Sequence, residues 1–292
     1  MSTTGSDSLP ATRPRRTVVP ARFLMCRPEH VEVTYAVNAW LRPELPTSQE
    51  VAVRQWTALR STLEELGHEV ELIDAVAGLP DMVFAANGAL IHGDRAVVAR
   101  PRHPERHLEA TWYEAWLTGA GFDVHHCEHS FEGAGDVTVV PGRDLAIAGY
   151  GLRTDRAAHA QLARCLGLDV LSVELVDERF CHLDAALSPL DERTALYAPD
   201  AFTAEGVALI TSVFPEAFPV PHNEAKRLAA AAISDGWSVL VPHEARTTAG
   251  WLRSRGFRPV PLPVTELRRS GGGLRCCVLR LGSPVRDRLN QR

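Results

Sequence analysis

The 292-residue chain carries a formal net charge of −5 and a pI near 6.2, with 45% apolar residues. That apolar share suffices for a large core, while the acidic balance argues against nucleic acid or an anionic membrane surface as partner. No run approaches the roughly 18 apolar residues of a membrane span, and six cysteines without a CxxC pair or an apolar leader point to free thiols in the cytoplasm.

In chain order, residues 1–16 (MSTTGSDSLPATRPRR) are polar and rich in Ser, Thr and Pro, the composition of a disordered tail. Residues 17–292 read as one α/β domain. Ser48–Leu66 is the clearest helix. Ala52, Trp56, Leu59, Leu63 and Leu66 share one face, Thr47 and Glu50 are placed to form a capping box, and Gly67 stops it. A short strand, Val70–Ile73, follows.

From there one pattern recurs. An apolar strand meets a turn rich in Gly, Asp or Arg, and a second apolar strand returns. Gly88–Arg100, Asp136–Gly149, Asp184–Pro199 and Ala229–Pro242 are such hairpins. Helical stretches follow them at Glu105–Leu117, Thr154–Leu166, Thr203–Val213 and Glu244–Arg255. Short strands at Phe122–Cys127, Asp169–Glu174 and Arg258–Pro263 come next. The repeat is roughly 45–55 residues, so about five units fit, and arrays of that period close or stack. Five would close around an axis as an α/β propeller; an open α/β sandwich with mixed sheets is the alternative.

Chemistry-bearing residues stand at the start of each hairpin. Asn87 precedes the first, Glu132 and Asp136 the second, His182 and Asp184 the third, Asn223 and Glu224 the fourth; Cys276 follows Gly271-Gly272-Gly273 before the last apolar run. Each alone fits turn chemistry or a core position. If the units are equivalent, all converge on one central pocket. The segment DVHHCEH (123–129) has metal-like residue types, but strand alternation sends His125 and Cys127 to one face and His126 and Glu128 to the other. No second ligand pair at zinc-site spacing accompanies it, so no metal and no cofactor is expected.

The chain resembles the superfamily of guanidino-group-modifying enzymes, which includes arginine deiminase, dimethylarginine dimethylaminohydrolase, amidinotransferases and the arginine dihydrolase domain. The matching stretches are PDMVFAANGAL (80–90), RPRHPER (100–106), FEGAGD (131–136), GLRT (151–154), HLDAALSPL (182–190), NEAKRLA (223–229) and GGGLRC (271–276), in the family's order. The resemblance implies a five-bladed propeller with Cys276 as nucleophile and His182 as general acid and base. It implies Glu132 and Asp184 as the carboxylates that hold the guanidinium. Arg153 and Arg106 would grip a substrate carboxylate, with Arg100 competing with Arg106, and Asp81 and Asp136 would join the substrate set. Ala86-Asn87 stand where dimethylarginine hydrolases carry acidic residues. That pattern, with Asn38 in MCRPEHVEVTYAVNAWL (25–41), is similar to arginine dihydrolase.

The chemistry suits these residue types. A guanidinium is planar and offers N–H donors in a fixed fork that a carboxylate accepts in parallel. The attacker must be a thiolate. Three glycines would let the backbone approach the ligand, with Cys277 on the opposite face of a strand, in the core. The expected substrate is a small guanidino compound, arginine or a methylated arginine, giving citrulline or, by a second round, ornithine. An amidinotransferase and a non-catalytic arginine sensor are the rival readings, and a homo-oligomer is left open.

Overall fold

Five three-stranded sheets form, each with the same wiring. The computed structural model describes residues 16–33 and 47–282. In the second sheet, β3 (Ala89–His92) turns back at Gly93 into antiparallel β4 (Arg95–Val98). Helix α2 (His107–Ala120) then crosses over to β5 (Asp123–His126), parallel to β4. The third repeats this with β6 (Val137–Val139), β7 (Leu145–Tyr150), α4 (Arg156–Leu166) and β8 (Asp169–Glu174). The fourth uses β9 (Leu187–Pro189), β10 (Ala195–Tyr197), α6 (Ala204–Val213) and β11 (Phe218–Pro219). The fifth uses β12 (Ile233–Ser234), β13 (Ser238–Pro242), α8 (Arg246–Ser254) and β14 (Arg258–Leu262).

The remaining sheet joins the two ends of the described chain. Strand β1 (Arg22–Cys26) lies between β2 (Glu69–Ile73), to which it runs parallel across α1 (Gln49–Glu65), and antiparallel β15 (Leu279–Leu281). Its hairpin partner therefore comes from the far end of the sequence. The ring is a five-bladed α/β propeller, as the periodicity predicts.

Each inner strand is preceded by one tight helical turn. These are Ala85–Asn87 before β3, α3 (Gly133–Asp136) before β6, α5 (Leu183–Ala186) before β9, α7 (His222–Ala225) ahead of β12, and Arg275–Cys277 before β15. The turns present side chains toward the axis, and the strands behind them anchor the turns in the core. Leu24 and Leu279, paired across β1 and β15, are fully buried, a burial that contributes about 1.5–3 kcal/mol per side chain.

Helix ends differ slightly from the sequence reading, for local reasons. Pro104 starts a 3-10 turn at Pro104–Arg106, so α2 begins at His107, and it ends where Gly121 takes φ +88°. The cap of α1 is Ser48, not Thr47. The Ser48 hydroxyl accepts from Val51 N–H, and the Ser48 N–H donates to the Glu266 carboxylate in α9 (Thr265–Arg269). Among the described residues no helix is long and apolar enough to cross a membrane.

Candidate active site

Cys276 sits in the 3-10 turn before β15, not in a strand, and is 5% exposed. Its sulfur accepts a hydrogen bond from Gly273 N–H at 3.3 Å. Cys277 shares the turn and is fully buried. It reaches the core because the turn directs its thiol back to Gly273 O at 3.4 Å, rather than by strand alternation. The glycines serve two needs. Gly271 has φ +108°, whereas Gly272 and Gly273 are required for space: a Cβ would lie 2.5 Å from the Phe84 ring at Gly272 and 2.8 Å from Ala231 Cβ at Gly273.

His182, immediately before α5, opens onto the same cavity as Cys276. Its Nε2 meets Glu132 Oε2 at 2.6 Å, and its Nδ1 faces Cys181 Sγ at 3.8 Å. Burial disfavours the imidazolium, but Cys181 and the Glu132 carboxylate more than offset it and hold it well above the ordinary histidine value. Burial raises the Glu132 carboxyl, yet His182, Arg106 and Arg153 hold it well below the carboxylate range.

Glu132 is placed behind the imidazole rather than on the cavity wall. Besides His182, its carboxylate accepts from Arg102 N–H at 3.1 Å and from Arg153 Nη1 at 3.5 Å. The sequence reading assigned it to the guanidinium; here its oxygens meet Arg102 N–H, Arg153 and His182. Asp136 likewise does not line the cavity. It is fully buried, with Oδ1 accepting from Leu183 N–H and Oδ2 from the Thr154 hydroxyl, which itself accepts from Glu132 N–H. Burial pushes its carboxyl up to about 6. Asp136 therefore ties together the backbones beside His182, Arg153 and Glu132.

Asp184 lies behind Cys276. Both carboxyl oxygens are buried, and the nearest donors, the Cys276 thiol and Ala185 N–H, fall short of good hydrogen-bond geometry. Burial raises its pKa, with His182 and Arg275 opposing. The Cys276 thiol is pushed well above its ordinary value by burial and by Asp184, against the pull of Gly273 N–H. Burial and the adjacent Asp184 thus favour the thiol form of Cys276 in the free protein.

The other wall is formed by Asp81, Phe84, Asn87, Arg106 and Arg153. The Asn87 side chain donates to Glu132 O at 3.2 Å, and its carbonyl accepts from Arg106 Nη1 at 3.4 Å. Of the two competing arginines, Arg106 is buried on the wall, while Arg100 is exposed and donates to Glu128 O.

Asn223 and Glu224 do not join the ring. Asn223 is exposed, and Glu224 accepts from Thr247 N–H, Thr248 N–H and the Thr248 hydroxyl, capping α8. Asn38 lies outside the described residues. In DVHHCEH, His125 pairs with Asp123 and His126 with Glu114. Among the described residues no three His, Cys, Asp or Glu side chains converge as a metal site. Sequence reasoning missed Phe84, Thr154 and Arg102 as parts of the site. Phe84 and Thr154 stand in stretches already singled out, but the Arg102 contact is a backbone N–H and has no sequence signal.

No family model matches the chain. It is 43% identical over 267 residues to the N(G),N(G)-dimethylarginine dimethylaminohydrolase of Mycobacterium tuberculosis, covering 91% of this chain and 88% of that one. The chain belongs to the dimethylarginine dimethylaminohydrolase family. Among members of that guanidino-modifying superfamily, it is 35% identical over 274 residues to the bifunctional arginine dihydrolase/ornithine cyclodeaminase AgrE of Nostoc, spanning 92% of this chain but 39% of AgrE. The substrate-bound N-terminal domain of ArgZ, a cyanobacterial arginine dihydrolase, superposes with a TM-score of 0.85 at 35% identity, over 91% of this chain and 99% of that domain. In this chain's cavity a neutral side chain, Asn87, stands beside Arg106.

Proposed function

We propose that the protein hydrolyses the guanidino group of arginine through a covalent intermediate on Cys276, and carries the citrulline formed through a second round to ornithine, carbon dioxide and ammonia. One observation carries the reading. The Cys276 thiol lines a cavity that also holds His182, Arg106 and Arg153, and the buried Asp184 carboxyl lies next to that thiol, behind the wall. Such a site suits a small molecule with a cationic planar head and an anionic tail.

The residues support the chemistry as follows. A guanidinium reaching Asp184 offers it N–H donors, and its positive charge favours transfer of the Cys276 proton to solvent water, because an adjacent cation stabilises a thiolate. The sulfur attacks the guanidinium carbon. His182, held protonated by Glu132, gives its proton to the departing nitrogen, which leaves as ammonia. The neutral His182 then takes a proton from water. The resulting hydroxide adds to the thiouronium carbon, and the C–S bond breaks to return the thiolate and release citrulline. In a second round the head group is an uncharged urea, which presents a carbonyl as well as N–H groups. Asn87 offers both a donor and an acceptor, where a carboxylate offers acceptors alone.

Dimethylarginine, giving citrulline and dimethylamine, is the second reading, favoured by the 43% identity with the mycobacterial relative. Mass identification of products from the purified chain separates the two. Arginine yielding ammonia and ornithine supports the proposal; turnover of dimethylarginine alone overturns it. Asn87→Asp should stop the reaction at citrulline, and ornithine still formed by that variant would refute the role given to Asn87.

A further inference from the structure

We propose that Glu109, which lies off the cavity wall, is the positioning residue that fixes Arg106 for the anionic end of the substrate; this rests on the arginine reading above. Arg106 stands directly before α2, and Glu109 is in its first turn, three residues on. Both side chains are 3% exposed. The Glu109 carboxylate takes the Nε–Nη2 edge of the guanidinium as a fork: Nε donates to its two oxygens at 3.0 and 3.2 Å, and Nη2 donates at 2.7 Å. The five N–H donors of a guanidinium lie in one plane, so fixing one edge fixes the direction of the third nitrogen. That nitrogen, Nη1, donates to Asn87 Oδ1, and Asn87 and Arg106 both line the cavity.

The other carboxylates near Arg106 do not set this orientation. Asp81 Oδ2 is 3.7 Å from Nε and Glu132 Oε2 is 3.8 Å from Nη1, ion-pair distances without the fork. Glu132 is also committed to His182. Asp81 helps through its backbone carbonyl, which accepts from Nη2 at 3.4 Å. Without Glu109, Nε loses its hydrogen bonds and Nη2 keeps only the long one to Asp81 O, so the guanidinium rotates to recover a partner from the Asp81 or Glu132 carboxylate. Either choice withdraws Nη1 from Asn87 and disturbs the binding wall without touching Cys276.

A residue that acts this way moves substrate affinity and leaves the chemical step alone. The test is steady-state kinetics on the full chain with arginine, alongside inhibition by agmatine, which is arginine without its carboxylate. Glu109→Ala should raise KM for arginine at least tenfold while kcat stays within about threefold, the split expected when uniform binding is lost. Glu109→Gln, which keeps the volume and one acceptor, should give an intermediate KM and guards against a variant that fails to fold. The agmatine inhibition constant should stay within threefold in both, because no carboxylate is there to be held. An unchanged KM for arginine in both variants overturns the role of Glu109, as does a fall in kcat with KM unchanged. Wild-type chain that does not turn over arginine overturns the functional reading itself, a result separable from either.

Discussion

At the scale of single residues, the site is organised around one buried carboxylate that never meets the cavity. Glu132 holds His182 as an imidazolium with its Nε2 at 2.6 Å. Glu132→Gln should therefore lower kcat by about 10²–10⁴, the usual worth of a positioned general acid and base, while KM for arginine changes far less; an unchanged kcat would contradict the arrangement. Cys276 makes a companion prediction. Burial and Asp184 raise its thiol, so alkylation of the free protein by iodoacetamide should keep accelerating as pH rises above neutrality. A rate already at its plateau at pH 7 would show a thiolate stabilised in the absence of substrate. Cys276, His182 and Asn87 were legible because each stands at the mouth of a recurring unit, whereas Arg106 and Arg153, which precede helices, were singled out only by the family resemblance. The roles of Glu132, Asp136 and Glu224 were not legible. Each lies in or beside a one-turn helix, where a shift of one position swings a side chain by roughly 100° from axis to interior, and no periodicity in four residues records that phase.

At the scale of elements, the glycine turn is where backbone and chemistry meet. The triple glycine was visible in the sequence, but its reason was not. Only Gly271 needs a positive φ; the other two leave room for side chains far away in sequence, Phe84 and Ala231, which lead into the second and fifth blades. A Cβ on Gly272 would also stand 3.0 Å from Cys276 Cβ. Gly272→Ala must push the Phe84 ring, which lines the cavity, or the Cys276 turn itself. It should cost about 1–3 kcal/mol of stability, as overpacking does, and reduce kcat/KM for arginine at least tenfold. Denaturant melts and kinetics on the same sample check both, and wild-type values in either would show that the turn has slack.

At the scale of the whole molecule, ring closure and catalysis share one strand. Four hairpins were legible because a local turn joins their strands. The fifth was only a residue count, since β1 and β15 are joined by no turn: Leu24 pairs with Leu279 across almost the entire sequence. Cys276, the proposed nucleophile, is three residues ahead of Leu279, so its turn is held in place only when the ring is closed. Leu279 is fully buried between Leu24 and the second blade's core residues. Leu279→Ala should thus cost about 2–5 kcal/mol, the range for a buried leucine truncated to alanine. The loss should not stay local. If closure couples the blades, tryptophan fluorescence, from residues that include Trp56 in the first blade and Trp251 in the fifth, and arginine turnover should be lost in one shared transition, shifted together to lower denaturant in the variant. Activity that disappears well before the fluorescence changes would mean that the β1–β15 seam opens alone and that the other blades stand without it.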